Sequence, residues 1–184
     1  MEDVSSPPSI PNLGIYRDLN WGAEQLMNIS MFKSFNLEQR KRIYGLGSIQ
    51  VIRKAAHAII EGEPSRGLFL ILGGQLSVHK RDNVNNDAYR LATLKTGDCF
   101  GELSLFDQAP RSATVAADIQ SYLFALDAES FEKFLDLEGA LIKAQFYYNC
   151  AVNLSEKFRT LNSEYVLSQQ MLWKYALRRV KDQP

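Results

Sequence analysis

The spacing of apolar positions changes three times along the chain. From Trp21 to Tyr44, the residues Trp21, Leu26, Ile29, Met31, Phe32, Phe35, Leu37 and Ile43 recur at helical intervals. A break near Ser34 to Asn36, followed by Leu37-Glu38-Gln39-Arg40, predicts two short helices. From Ser48 to Leu126 the chain turns to short β-prone runs. Strands are predicted at Ile49 to Arg53, His57 to Ile60, Gly67 to Leu72, Gln75 to Arg81, Tyr89 to Leu94, Ser112 to Ala117 and Gln120 to Asp127. Glu61-Gly62-Glu63-Pro64, Gly73-Gly74, Asp82-Asn83 with Asn85-Asn86-Asp87, and Gly97-Asp98 supply the turns between them. Many short strands with glycine-rich corners predict a sandwich or jelly roll.

Helical spacing then returns. Asp127 to Leu135 predicts a short helix that packs Phe131, Phe134 and Leu135 back on the roll. Glu138 to Lys181 contains no proline and a single glycine, Gly139, so one long helix or a broken pair fits. Ala140, Ala144, Tyr147, Ala151, Leu154, Phe158, Leu161, Tyr165, Ser168, Leu172 and Tyr175 alternate at gaps of four and three. That heptad-like stripe predicts a helix-to-helix seam, and burial of one face against the roll is the competing reading. Lys174, Arg178, Arg179 and Lys181 sit near the helix end, where cations suit the dipole. At the other end, Met1 to Asn20 holds Pro7, Pro8 and Pro11 among serines and predicts a flexible arm.

One stretch interrupts the β run. Phe100-Gly101-Glu102-Leu103-Ser104-Leu105-Phe106 opens with glycine and a carboxylate, continues as an apolar run of helical character, and ends before Pro110-Arg111. A turn into a helix start presents unpaired backbone N–H groups and favours an anion. Gly101 lets the backbone approach a ligand with no Cβ in the way. Arg111 can close on the same anion through planar, charge-assisted hydrogen bonds. Glu102 beside a phosphate makes sense as the acceptor for a neighbouring hydroxyl, as a ribose offers. These residue types together describe a pocket for a sugar phosphate.

Composition narrows the rest. The 184 residues are 46% hydrophobic and 23% charged, with zero formal net charge, which gives no bulk attraction to nucleic acid or an anionic membrane. The apolar runs are too short to span a bilayer, and Met1-Glu2-Asp3 does not open a secretory signal. Cys99 and Cys150 have no metal-ligand spacing, so no metal is expected and a reducing, cytoplasmic setting is the default. His57 and His79 are the only histidines, no P-loop is present, and no carboxylate pair is spaced for acid-base work. The expectation is binding without turnover, hence not an enzyme.

The run from Phe100 to Val115 resembles the phosphate-binding cassette of the cyclic nucleotide-binding domain family. The likeness extends to Ile60 through Pro64, Leu68 through Val78 and Leu94 through Asp98. One position departs from the family pattern: Ala55-Ala56 stands where glycine is common before His57. The resemblance implies an α+β fold, a jelly-roll-like β-roll with N-terminal helices and a long C-terminal helix. It implies that Glu102 holds the ribose 2′-hydroxyl and Arg111 the cyclic phosphate, with backbone groups of Gly101, Leu103, Ser104, Ser112 and Ala113 completing the cradle. The ligand expected is cyclic AMP in preference to cyclic GMP; Ser112 could reach a guanine amine or bond the phosphate, so both purines stay open. Tyr165 or Trp173 is a candidate to cover the base. The chain divides into an arm (1–20), the binding domain with its N-terminal helices (21–135) and a C-terminal helical segment (136–184). That last segment would carry lid, signal and homodimer contacts. No cofactor, nucleic acid or membrane partner is expected, and a fused or separate effector would supply the output. The alternative is a β-roll that has lost its ligand and serves as an interaction scaffold.

Overall fold

The computed structural model describes residues 13–82, 87–107 and 109–181. Eight strands form two antiparallel sheets: β1 (Ser48–Ile52), β2 (His57–Ile59), β3 (Gly67–Gly73), β4 (Gln75–Arg81), β5 (Ala88–Lys95), β6 (Cys99–Phe100), β7 (Thr114–Ala117) and β8 (Ser121–Asp127). Their orders are β1-β8-β3-β6 and β2-β7-β4-β5. Seven lie where the apolar pattern predicts strands. The two-residue β6, which pairs Phe100 with Phe69 and Cys99 with Leu70, was too short to carry a period.

The two inner strands of the first sheet, β3 and β8, are buried on both faces. Leu68, Leu70 and Leu72 of β3, with Tyr122, Phe124 and Leu126 of β8, face a helical layer. The alternate residues Ile71 and Leu123 face the second sheet and meet Ile59, Leu76, Phe100, Val115 and Ala117. Side chains of a strand point alternately to opposite sides, so a strand covered twice reads as a continuous apolar run.

Four α-helices form that layer: α1 (Leu19–Met27), α2 (Leu37–Leu46), α3 (Ala128–Glu138) and α4 (Ala140–Lys181). The predicted break between α1 and α2 falls where Asn36 caps α2. Its side chain accepts from Gln39 N at 2.9 Å, and Gln39 Oε1 accepts from Asn36 N at 2.9 Å. This reciprocal capping box satisfies two donors left free at a helix start. Asp18 and Asp127 cap α1 and α3 in the simpler way. Between α3 and α4, Gly139 turns the chain at φ 95°, after which α4 runs as one helix of 42 residues.

Two expectations change. Of the predicted arm, residues 1–12 lie outside the described residues, but from Leu13 on the chain is packed. The Tyr16 ring packs at tilted angles against Trp21 and Tyr122, and the Tyr16 carbonyl accepts from the Tyr44 hydroxyl at 2.7 Å. On α4, the competing reading of the stripe, burial against the rest of the domain, falls one residue off the predicted positions. Phe146 and Cys150, rather than Tyr147 and Ala151, are the buried positions, where Phe146 joins Phe32, Phe35 and Phe131. From Leu154 onward the apolar stripe is exposed.

Candidate functional site

After β6, Gly101 takes a left-handed conformation (φ 76°, ψ 12°) and starts a single 3-10 turn, Glu102–Leu105. The sequence suggested a helix start; four residues form too short a helix to carry much dipole, so any anion held here relies on the amides and on side-chain charge. The space beside Gly101 explains the residue as well as its φ does. A Cβ there would lie 2.5 Å from Arg111 Nη1 and 3.0 Å from the Gly67 carbonyl oxygen.

Arg111 is the central side chain of the site. It is 7% exposed and lies over the Phe69 ring, with its guanidinium carbon 5.6 Å from the ring centre. Nη2 donates to the Gly67 carbonyl at 2.9 Å and Nη1 to the Gly101 carbonyl at 3.3 Å. Its backbone is pinned too: its N–H donates to Glu63 O at 2.8 Å, and its carbonyl accepts from Gly62 N at 2.9 Å. Burial pulls the guanidinium below its ordinary pKa, with Glu63 opposing the shift. An arginine remains charged under any ordinary condition, and its fork holds more donors than two carbonyls use. Here is a buried cation with hydrogen-bonding capacity to spare.

Next to it opens a cavity of about 400 Å³. Gly101, Glu102, Leu103, Arg111, Ser112 and Ala113 all line it, so six of the seven positions predicted from sequence share one wall. Ser104 lies in the same 3-10 turn, with a side chain outside what is described. Ile59, Val78 and Val115 of the second sheet make the apolar floor. Lys80 steadies the rim by donating to the Ser112 carbonyl at 2.7 Å while pairing with Glu61 at 2.8 Å. A cavity with a cationic pole, a carboxylate and an apolar floor suits an anionic ligand that has hydroxyls and a flat apolar part.

Among the wall residues outside the predicted set, two come from the distant helix α4. Leu154 and Lys157 of α4 close the cavity from the side, and Lys157 Nζ pairs with Glu102 Oε1 at 2.6 Å. Burial is the largest single influence and lowers the Lys157 pKa, but the hydrogen bond and the charge of Glu102, with Cys99 behind it, together outweigh burial and raise it. Leu154 was legible as part of the α4 stripe. Lys157 stood in no motif, and only the tertiary fold brings it across 55 positions to Glu102. The suggested base covers, Tyr165 and Trp173, do not line the cavity and are 61% and 69% exposed.

Elsewhere, His79 shares a hydrogen bond with Ser77, whose hydroxyl donates to Asp118 at 2.8 Å. The carboxylate therefore orients the serine and not the histidine, the wrong order for a nucleophilic triad. Among the described residues, no group of three or more His, Cys, Asp or Glu side chains could hold a metal, and no helix is long and apolar enough to cross a membrane.

The fold and the wall define a β-roll with an anion-suited turn on its inner side. Residues 49–138 match the cyclic nucleotide-binding domain family, and this part of the chain belongs to it. The cAMP-dependent protein kinase regulatory subunit of Yarrowia lipolytica is 28% identical over 110 residues, which cover 60% of this chain and 28% of that protein. Among solved structures, a cAMP-bound PfPKA-R is 31% identical with a TM-score of 0.57, covering 61% of this chain and 39% of that one. The catabolite activator protein of Thermus thermophilus shares the fold, with a TM-score of 0.65 at 22% identity, covering 76% of this chain and 63% of that one. The match spans under a third of the length of the curated regulatory subunits.

Proposed function

We propose that the chain is a sensor module that binds a cyclic mononucleotide in the cavity between the cassette turn and the second sheet, without transforming it. Arg111 takes the cyclic phosphate. Glu102 accepts the ribose 2′-hydroxyl, and backbone groups of Gly101, Leu103, Ser104, Ser112 and Ala113 complete the cradle. The observation that carries this reading is the convergence of buried Arg111, Glu102 and the left-handed Gly101 on one cavity of about 400 Å³. Cyclic AMP is the preferred ligand over cyclic GMP; support comes from the regulatory subunits and the cAMP-bound structure that this chain resembles.

Occupancy is passed on through α4, which supplies two residues to the cavity wall and then runs on with an exposed apolar stripe. A shift between two packings of that helix is the signal, and a fused or separate effector provides the output. The stripe from Leu154 to Tyr175 pairs with a second copy of the chain in a cytoplasmic homodimer.

Calorimetric titration with each nucleotide tests the binding reading. The unmodified chain binds cyclic AMP. Arg111→Ala weakens that binding by about 2–3 kcal/mol, roughly 30- to 150-fold, the scale of a lost charge-assisted contact. Arg111→Lys keeps the charge but loses the planar fork, so it restores only part of the affinity. Absence of binding heat with both nucleotides would decide for a scaffold instead.

A further inference from the structure

Glu102 is the residue assigned to the ribose hydroxyl, yet it already has a partner. Lys157 Nζ lies 2.6 Å from Glu102 Oε1 and is the only ion pair between α4 and the cassette among the described residues. The acid is mostly enclosed, with 22% of its side chain exposed, whereas the lysine is 56% exposed and can swing into water. The early part of α4 is held separately. Lys143 pairs with Asp136 at 2.6 Å, and the Tyr147 hydroxyl donates to Glu132 at 2.7 Å, both on α3. Farther along, Asn153 reaches the Ser30 hydroxyl at 2.5 Å. Lys157 is the last described residue of α4 with a hydrogen bond or ion pair to the rest of the domain.

We propose that Lys157 is an internal competitor for the ligand's ribose. Its ammonium occupies the carboxylate that the 2′-hydroxyl requires, so a nucleotide engages Glu102 fully only by displacing it. Ligand entry and release of the distal half of α4 from the cassette thereby become a single exchange. The half anchored on α3 keeps its contacts, and the break falls near Lys157. The exchange is inexpensive, because an exposed ion pair contributes little and the freed ammonium is solvated at once. This inference rests on the assignment of Glu102 to the ribose. It differs from the simpler idea that Lys157 assists the phosphate as a second cation, and the two predict opposite effects of removing it.

The test is a titration of the full chain and of Lys157→Ala with cyclic AMP and with its 2′-deoxy analogue. Competition predicts that Lys157→Ala binds cyclic AMP roughly 1.5- to fivefold tighter, the scale of one exposed ion pair. The deoxy analogue, which has no hydroxyl to displace the lysine, gains less. Lys157→Arg, which keeps the pair, stays near the unmodified affinity. Equal or weaker cyclic AMP binding by Lys157→Ala, or an equal gain for both ligands, overturns the inference while leaving nucleotide binding intact. If the unmodified chain binds neither cyclic AMP nor cyclic GMP, the binding reading fails and the inference falls with it.

Discussion

Gly101 and Arg111 are coupled at the scale of single residues. The glycine has no side chain because the guanidinium fills that space and bonds the glycine's own carbonyl. Gly101→Ala therefore meets both a positive φ, worth about 1–2 kcal/mol, and a close approach to the arginine. We expect Gly101→Ala to lower stability by at least about 1 kcal/mol in urea denaturation and to weaken nucleotide binding with it. Ala55 poses the reverse case. It is the only non-glycine residue with positive φ among the described residues, at 65°, in the turn before β2 where the family often has glycine. Replacing it by glycine relieves about 1–2 kcal/mol of backbone strain, against about 0.4–1 kcal/mol from the freer unfolded chain. Ala55→Gly is expected to raise stability by up to about 1.5 kcal/mol, read as a higher urea midpoint with an unchanged slope.

Individual elements depend on what covers them. The buried face of α4 is anchored by Phe146, 1% exposed and edge-on to Phe131 at 5.0 Å. Phe146→Ala leaves a cavity in that aromatic cluster, and we expect a loss of about 3–5 kcal/mol in equilibrium unfolding. Acid sensitivity belongs to the turn between β7 and β8. Hydrogen bonds from Gln75 and Ser77, joined by Arg90, hold the Asp118 carboxyl below its ordinary pKa. A carboxyl with a depressed folded pKa stabilises the fold above its unfolded value of about 3.9, and that contribution disappears as pH falls through the folded value. Below about pH 4 the unmodified chain should lose stability more steeply than Asp118→Asn, as read by denaturation at a series of pH values.

For the whole molecule, the open question is what covers the distal part of α4. Leu154, Phe158, Leu161, Tyr165, Leu172 and Tyr175 are each more than half exposed and lie at gaps of four and three, apart from the intervening Ser168. A long stripe of this kind on an isolated helix is costly in water, and a second copy of the same stripe would bury it. Sedimentation should show a dimer for the unmodified chain and a monomer for the Phe158→Glu, Leu161→Glu double variant. The variant's β-roll should keep its own unfolding transition. A monomeric unmodified chain at tens of micromolar would remove the dimer.

Local chemistry made much of this protein legible in one dimension. Strand positions follow from β-branched runs between turn residues, and the break between α1 and α2 follows from the Asn36 cap. The cassette is readable because glycine, carboxylate and arginine stand within one short segment, and six of its seven candidate positions share a wall. The face of α4 was not readable, because Ala140 to Ala151 is apolar at so many positions that no single stripe is specified. Contact with Phe32, Phe35 and Phe131 selects Phe146 and Cys150. The pairing of Lys157 with Glu102 was equally hidden, since an exposed lysine on a helix has no local signature. Sequence determines what is settled by neighbours along the chain; packing between distant elements alone decides which face is buried and which charge meets the acid.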